Sequence, residues 1–205
     1  MIANVVEFLA SRRTTNLFDP DQRLTDTQIA ELVRIATTAP SSFNLQNWRF
    51  IAVRSEEAKQ RLRAIAWDQA KITDAAVTFI VVGELADHTT LPARLQGAVD
   101  AGFMPAEMVP GWEGAARSLY FEQPQRQRDE AVRSATFAAT TLIHAARTMG
   151  LGAAPMIGFD AEAVAASFGL GAQELPVMLL GIGVALPENW PQKPRRPVAE
   201  LIDFV

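Results

Sequence analysis

Residues 75–83, AAVTFIVVG, limit the fold more than any other stretch. The run is apolar and β-branched almost without a break, the pattern of a strand covered on both faces. The longest apolar run, Pro176–Pro187, holds two glycines and reads as a second buried strand over Leu175–Val184. Trp48–Val53 (WRFIAV) reads as a third, and Ala153–Met156 as a short fourth.

The intervening patterns are helical. Ile2, Val5, Val6 and Leu9 follow helical spacing up to Ser11–Arg13. Thr25 with Gln28 three residues on forms a capping box, followed by the stripe Ile29, Leu32, Val33 and Ala36. Pro40 stops that helix, because the residue before a proline is pushed out of the helical region. Ser55 caps a helix carrying Ala58, Leu62, Ile65 and Ala66, and Asp160 caps one that ends at Gly169. From Gln125 to Met149 apolar residues recur every three or four positions, and Gly150 is placed to end the helix. Residues 84–125, broken by Pro92, Pro105, Pro110, Gly111, Gly114 and Pro124, read as short helical pieces in a mobile excursion. The expectation is an α+β layer fold, helices packed on a small sheet, with some strand pairs open to being parallel. The apolar tail (Val198, Leu201, Ile202, Phe204, Val205) should be docked on something.

Length and charge narrow the function. A chain of 205 residues suffices for one domain, taken as 1–205 with 84–125 as a variable lid. The formal charge of −4 argues against a nucleic-acid surface. The absence of cysteine excludes disulfides, thiolate catalysis and iron–sulfur ligation, and fits a reducing cytoplasm. The N-terminus has its positive charge after its apolar part, unlike a secretory signal, and no run reaches membrane-spanning length. The expected location is cytoplasmic.

Side-chain chemistry is sparse. Only His88 and His144 are present, neither with carboxylates at a ligand spacing, and His144 suits a hydrogen-bonded packing role beside the apolar stripe of its helix. No serine sits in a G-x-S-x-G elbow. Gly150–Pro155 (GLGAAP) imitates a dinucleotide fingerprint, but it follows a helix and ends in proline, against the strand–turn–helix that the mechanism needs. If the chain is an enzyme, a cofactor carries the chemistry. Arg12, Arg13 and Thr14 near one end, and Lys193, Arg195 and Arg196 near the other, carry the fork, point-charge and hydroxyl chemistry of a phosphate monoester site. Either cluster alone is equally ordinary solvated charge. The stretch APSSFNLQNWRF (39–50) reads as a polar loop leading into a strand, a plain connector or a third wall of such a site.

Together SRRTTNLFDP, APSSFNLQNWRF, DQAK, GLGAAPMIGFD, LPVMLLGIG and QKPRRPV resemble the nitroreductase family of FMN-dependent oxidoreductases, over nearly the whole chain except 84–125. The resemblance implies a nitroreductase-like fold, with helices around a small mixed or antiparallel sheet. It implies an intertwined homodimer, its C-terminal tail docked on the partner and two FMN sites at the interface. By resemblance, Arg12, Arg13, Thr14 and Asn16 lie by the phosphate, ribityl chain and pyrimidine edge, and Lys193 and Arg195 bind the phosphate. Pro40, Ser41, Ser42 and Asn44 match the loop laid against the partner's flavin. Asp68 and Lys71 match positions near the ring and ribityl chain. Pro155, Ile157 and Gly158 match the segment whose N–H groups reach flavin N5 and O4. Three positions depart from well-known members: Asn16 replaces lysine, Asp68 asparagine and Ile157 glutamate. The family's flavin takes hydride from NAD(P)H at N5 and passes it on in a ping-pong cycle.

The expected function is therefore an NAD(P)H oxidoreductase acting on nitroaromatics, quinones or another small electron-poor acceptor. Ile157 suggests an apolar pocket suited to a neutral one. The alternatives are a dehalogenase, an enone reductase, a flavin-consuming oxygenase, or a flavin-binding sensor or carrier without turnover. No metal, nucleic-acid or membrane partner is expected. Phe43, Phe103, Trp112 and Tyr120 are candidate pocket aromatics; equally, the aromatics of 84–125 serve only to pack that segment down.

Overall fold

The computed structural model describes residues 5–205. Helix α1 (Val5–Ala10) buries none of its residues, and Ile2 lies outside the described part. Helix α2 (Asp26–Ala36) begins with the expected capping box, the Thr25 side chain accepting from Gln28 N–H and the Gln28 side chain accepting from Thr25 N–H. Then follow β1 (Trp48–Val53), α3 (Glu56–Ala64), the single turn α4 (Lys71–Asp74) and β2 (Val77–Glu84). Helices α5 (Leu91–Asp100), α6 (Val109–Tyr120) and α7 (Pro124–Thr148) precede β3 (Gly152–Met156), α8 (Ala161–Phe168) and β4 (Glu174–Gly183).

The sheet has the order β1-β2-β4-β3, and every neighbouring pair is antiparallel. This closes the possibility of parallel pairs: helices between strands here return the chain with reversed direction. Strand β2 is buried through its first seven residues. Its alternation splits two cores. Val77, Phe79 and Val81 face α2 and α7, whereas Ile80 and Val82 face α3 and α8. Each fully buried side chain of that size contributes about 1.5–3 kcal/mol, so this strand anchors both layers. Helix α7 lies so close that a Cβ on Gly83 would stand 2.7 Å from Ala131 O. Met149 caps α7, and Gly150 turns the chain at φ 74°.

Residues 84–125 are more regular than their prolines suggested. Pro92, Pro110 and Pro124 sit in the first turns of α5, α6 and α7, where the missing N–H costs nothing. They start helices instead of breaking them. Helices α5 and α6 have a core of their own, Leu91, Leu95, Ala116 and Tyr120, shared with Leu45 from the 39–50 stretch. His144 also differs from expectation. Its ring packs 6.0 Å from Phe8 and its Nδ1 has no hydrogen-bond partner, while burial, then Arg147 and Arg12, push its pKa down. The tail side chains of Val198, Leu201, Ile202, Phe204 and Val205 are exposed in the single chain.

Candidate functional site

The two ends of the chain meet at one corner of the sheet. Thr15 N–H donates to Ala153 O at 2.9 Å, so residues 12–17 run beside β3. Thr15 points inward and is buried, which leaves Thr14 and Asn16 on the other side. The returning C-terminal segment is fastened by Asn189. Its Oδ1 accepts from the N–H of Asn16 (2.6 Å) and Leu17 (3.0 Å), and its Nδ2 donates to Leu17 O (2.7 Å) and Leu186 O (2.9 Å). All four bonds are to backbone, so Asn189 does for these coils what a ladder does for strands. Sequence reasoning missed this residue, since one asparagine in a proline-broken tail carries no signal before its partners are known.

Between the two segments lies a cavity of about 290 Å³. Thr14, Asn16, Lys71 and Pro155 line one side, and Trp190, Gln192, Lys193 and Arg195 the other. Three cations thus border it, and among the described residues no carboxylate lines it; Glu188 lines the adjoining cavity with Asn16, Trp190 and Lys193. Lys71 is half-buried; burial first, and Lys193 second, push its pKa below the ordinary lysine range. A partly desolvated ammonium facing another ammonium, with no counter-ion, is the electrostatic signature of a site for an anion. Arg12 reaches this wall through Gln192, donating to its Oε1 at 3.4 Å. Arg13 turns away: it donates to Asn189 O at 3.5 Å and lines a separate cavity of about 190 Å³ with Ser11, Thr15 and Arg147.

Beyond Pro155 the chain leaves β3. Ile157 is 83% exposed, and Gly158 lies flat under the Trp67 ring, whose carbons would be 2.5–3.0 Å from an added Cβ. Trp67 and Asp68 both have positive φ, 53° and 49°. This strained turn is held by Asp68, which accepts from Arg63 Nε at 2.6 Å, and by Gln69, which donates to Gly158 O at 2.9 Å. The Asp68 carboxylate is thereby directed to Arg63, and Asp68 is not among the cavity's lining residues.

The residues Pro40, Ser41, Ser42 and Asn44 do not line the cavity of their own chain. They form a second strained turn, with positive φ at Phe43, Asn44 and Gln46. Ser41 Oγ accepts from Gln46 N–H at 2.9 Å, and Ser42 Oγ lies 2.8 Å from the Tyr120 hydroxyl. Phe43 packs edge-on against Trp112 (6.0 Å) and Tyr120 (6.5 Å). Three of the four candidate pocket aromatics therefore pack on one another, and the fourth, Phe103, is 86% exposed. Among the described residues no group of histidines and carboxylates could hold a metal, and no helix is long and apolar enough to cross a membrane.

Comparison with known proteins matches the "Nitroreductase family" sequence pattern to residues 9–184. "Protein DrgA" of Synechocystis is 40% identical over 154 residues, 75% of this chain and 71% of that protein. "Putative NAD(P)H nitroreductase YdgI" of Bacillus subtilis is 32% identical over 189 residues, 90% of each chain. Among solved structures, a "putative nitroreductase in complex with FMN" from Exiguobacterium sibiricum superposes with a TM-score of 0.91 at 27% identity, covering 100% of this chain and 99% of the other.

Proposed function

The chain belongs to the nitroreductase family, and from that premise we propose that residues 1–205 form one FMN-binding domain of a homodimeric NAD(P)H oxidoreductase. Its acceptor is a nitroaromatic, a quinone or another small electron-poor molecule. The observation that carries this reading is the carboxylate-free cavity holding Lys71, Lys193 and Arg195. A phosphate with two negative charges fits such a donor set, and the Thr14 hydroxyl adds a neutral donor. The residues present therefore fit FMN. Lys193 and Arg195 would hold its phosphate, Thr14 the phosphate or ribityl chain, and Lys71 the ring side.

FMN, once bound, supplies hydride transfer at N5 between a nicotinamide and the acceptor. The chain's own part is placement. Backbone at Pro155–Gly158 would lie against the reactive edge, with Ile157 and Trp67 as apolar cover that keeps water away. The 40–44 loop, absent from the lining of its own chain's cavity, would serve the partner's flavin. The exposed α1 face and C-terminal tail would then be buried between subunits.

The test is direct. The purified protein should be yellow, or turn so with added FMN, and NADH or NADPH should bleach it without an acceptor. A colourless protein that gains no absorbance with FMN overturns the reading; a yellow protein that neither nucleotide reduces leaves a flavin-binding protein without turnover. In a dilution series FMN affinity should fall as the dimer dissociates. Steady affinity would remove the loop from the partner's site.

A further inference from the structure

Helix α7 buries a carboxylate, Glu130, among residues that are mostly alanine. Such a group is tolerated only when its lone pairs are met. Glu130 is met by Arg133, by Ser134 Oγ at 3.0 Å and by the Tyr120 hydroxyl at 3.2 Å. The Tyr120 oxygen lies in turn 2.8 Å from Ser42 Oγ. Three separate parts of the chain are joined in one line: the central helix, the end of α6 and the 40–44 loop.

The line has a direction. A carboxylate only accepts, so the single proton of Tyr120 is committed to Glu130. The Ser42–Tyr120 bond then needs its proton from Ser42, and that is the only one Ser42 has. We propose that Ser42 therefore presents an oxygen lone pair, and no O–H, to the ligand that the 40–44 loop faces, making this wall selective for a ligand with an N–H donor at that point. The inference rests on the reading that the loop faces the partner's FMN site. The Tyr120 phenol agrees with it: burial, the largest cause, pushes its pKa up and keeps the proton in place, while the bond from Ser42 acts in the opposite sense, as a donor to the phenol oxygen does.

The geometry also keeps Ser42 from turning away. Leu45 is buried under α5 and α6, Ser41 Oγ holds Gln46 N–H, and Phe43, Asn44 and Gln46 take positive φ. The class selected is a carboxamide or another N–H donor; a ligand offering only acceptors meets lone pair against lone pair. Tyr120 is thus a positioning residue for Ser42, although it was a candidate for direct substrate contact.

The test uses the FMN-loaded protein and two near-isosteric probes, benzamide, which carries N–H donors, and acetophenone, which does not. Binding is read from the flavin absorbance change. The unmodified protein should bind benzamide about fivefold or more tightly than acetophenone, the ratio expected of one hydrogen bond. Tyr120→Phe returns the Ser42 proton and should bring the two probes within about twofold of each other, as one hydrogen bond is lost. Ser42→Ala should remove the preference as well, and adding Tyr120→Phe to it should do nothing more. A ratio unchanged in Tyr120→Phe, or a preference that survives Ser42→Ala, overturns the inference and leaves the FMN reading intact. Failure to take up FMN at all overturns both.

Discussion

At the corner where the chain ends meet, Lys71, Lys193 and Arg195 face a cavity with no carboxylate; around the 40–46 loop, Ser41, Ser42, Tyr120 and Glu130 all have partners within the chain. The first region is electrostatically unfinished and the second is closed. Both are built from strained or irregular backbone, yet the strain serves different ends. In the loop it holds a polar wall in shape. At the corner, Asn189 fastens two coils beside the cavity that the three cations border. If the two regions meet across the proposed dimer, the unfinished part would bind the ligand and the finished part would discriminate.

The largest effect that would break this comparison is expected in the closed region. Leu45 is 1% exposed in the core shared with α5 and α6. Leu45→Ala should cost about 2–5 kcal/mol in denaturant unfolding, the range for a buried leucine. Because the loop's backbone path depends on that anchor, turnover with the acceptor should fall more steeply than FMN affinity. A cost below about 0.5 kcal/mol, within the range of surface changes, would mean that the excursion does not hold the loop.

A smaller effect, with opposite signs for stability and binding, is expected at the corner. Lys71→Met removes an ammonium that burial already disfavours. FMN affinity should drop about 10- to 100-fold, the loss of one charge-assisted bond, while the ligand-free protein keeps or gains stability. The pH dependence follows the same logic. Since folding lowers the Lys71 pKa, the unfolded chain holds the proton longer, and Lys71 contributes stability that rises with pH through the window ending near 10.5. FMN should restore the charge, so its binding in that window takes up a proton. Calorimetry in two buffers of different ionisation heat would detect this, and equal uptake by Lys71→Met would assign it elsewhere.

Much of the fold could be read from local pattern. The 75–83 run, the Thr25 capping box and the stripe of α7 depend on near neighbours, and the structure reproduces all three. The basic residues that line the cavity also stood out in the sequence, because Lys193 and Arg195 cluster in a chain of net negative charge. What escaped depends on distant partners. Pro92 and Pro110 look like breakers until the helix that follows each is known. Asn189 is an ordinary coil residue until Asn16, Leu17 and Leu186 surround it. Arg12 and Arg13 look equivalent in sequence, and only the folded course of residues 12–17 beside Ala153 sends Arg12 to Gln192 and Arg13 to the separate cavity.

The smallest effect concerns Asn16, where the family resemblance leads one to expect lysine. Its backbone N–H is held by Asn189 and its side chain borders the cavity, so Asn16→Lys leaves the fastening intact and changes only what faces the ligand. A third ammonium beside Lys71 and Lys193 would favour negative charge on the reduced flavin, raising its potential. It would also push the Lys71 pKa down further, since like charges disfavour each other, and this offsets part of the gain. The net shift should therefore be positive but less than that of a lone lysine in the same place. In the Lys71→Met background the offset vanishes, and the same substitution should raise the potential more. A redox titration of the four proteins decides it. An unchanged or lowered potential in Asn16→Lys would show that the ring edge does not lie at this corner, and equal shifts in both backgrounds would show that Lys71 and residue 16 do not act on the same charge.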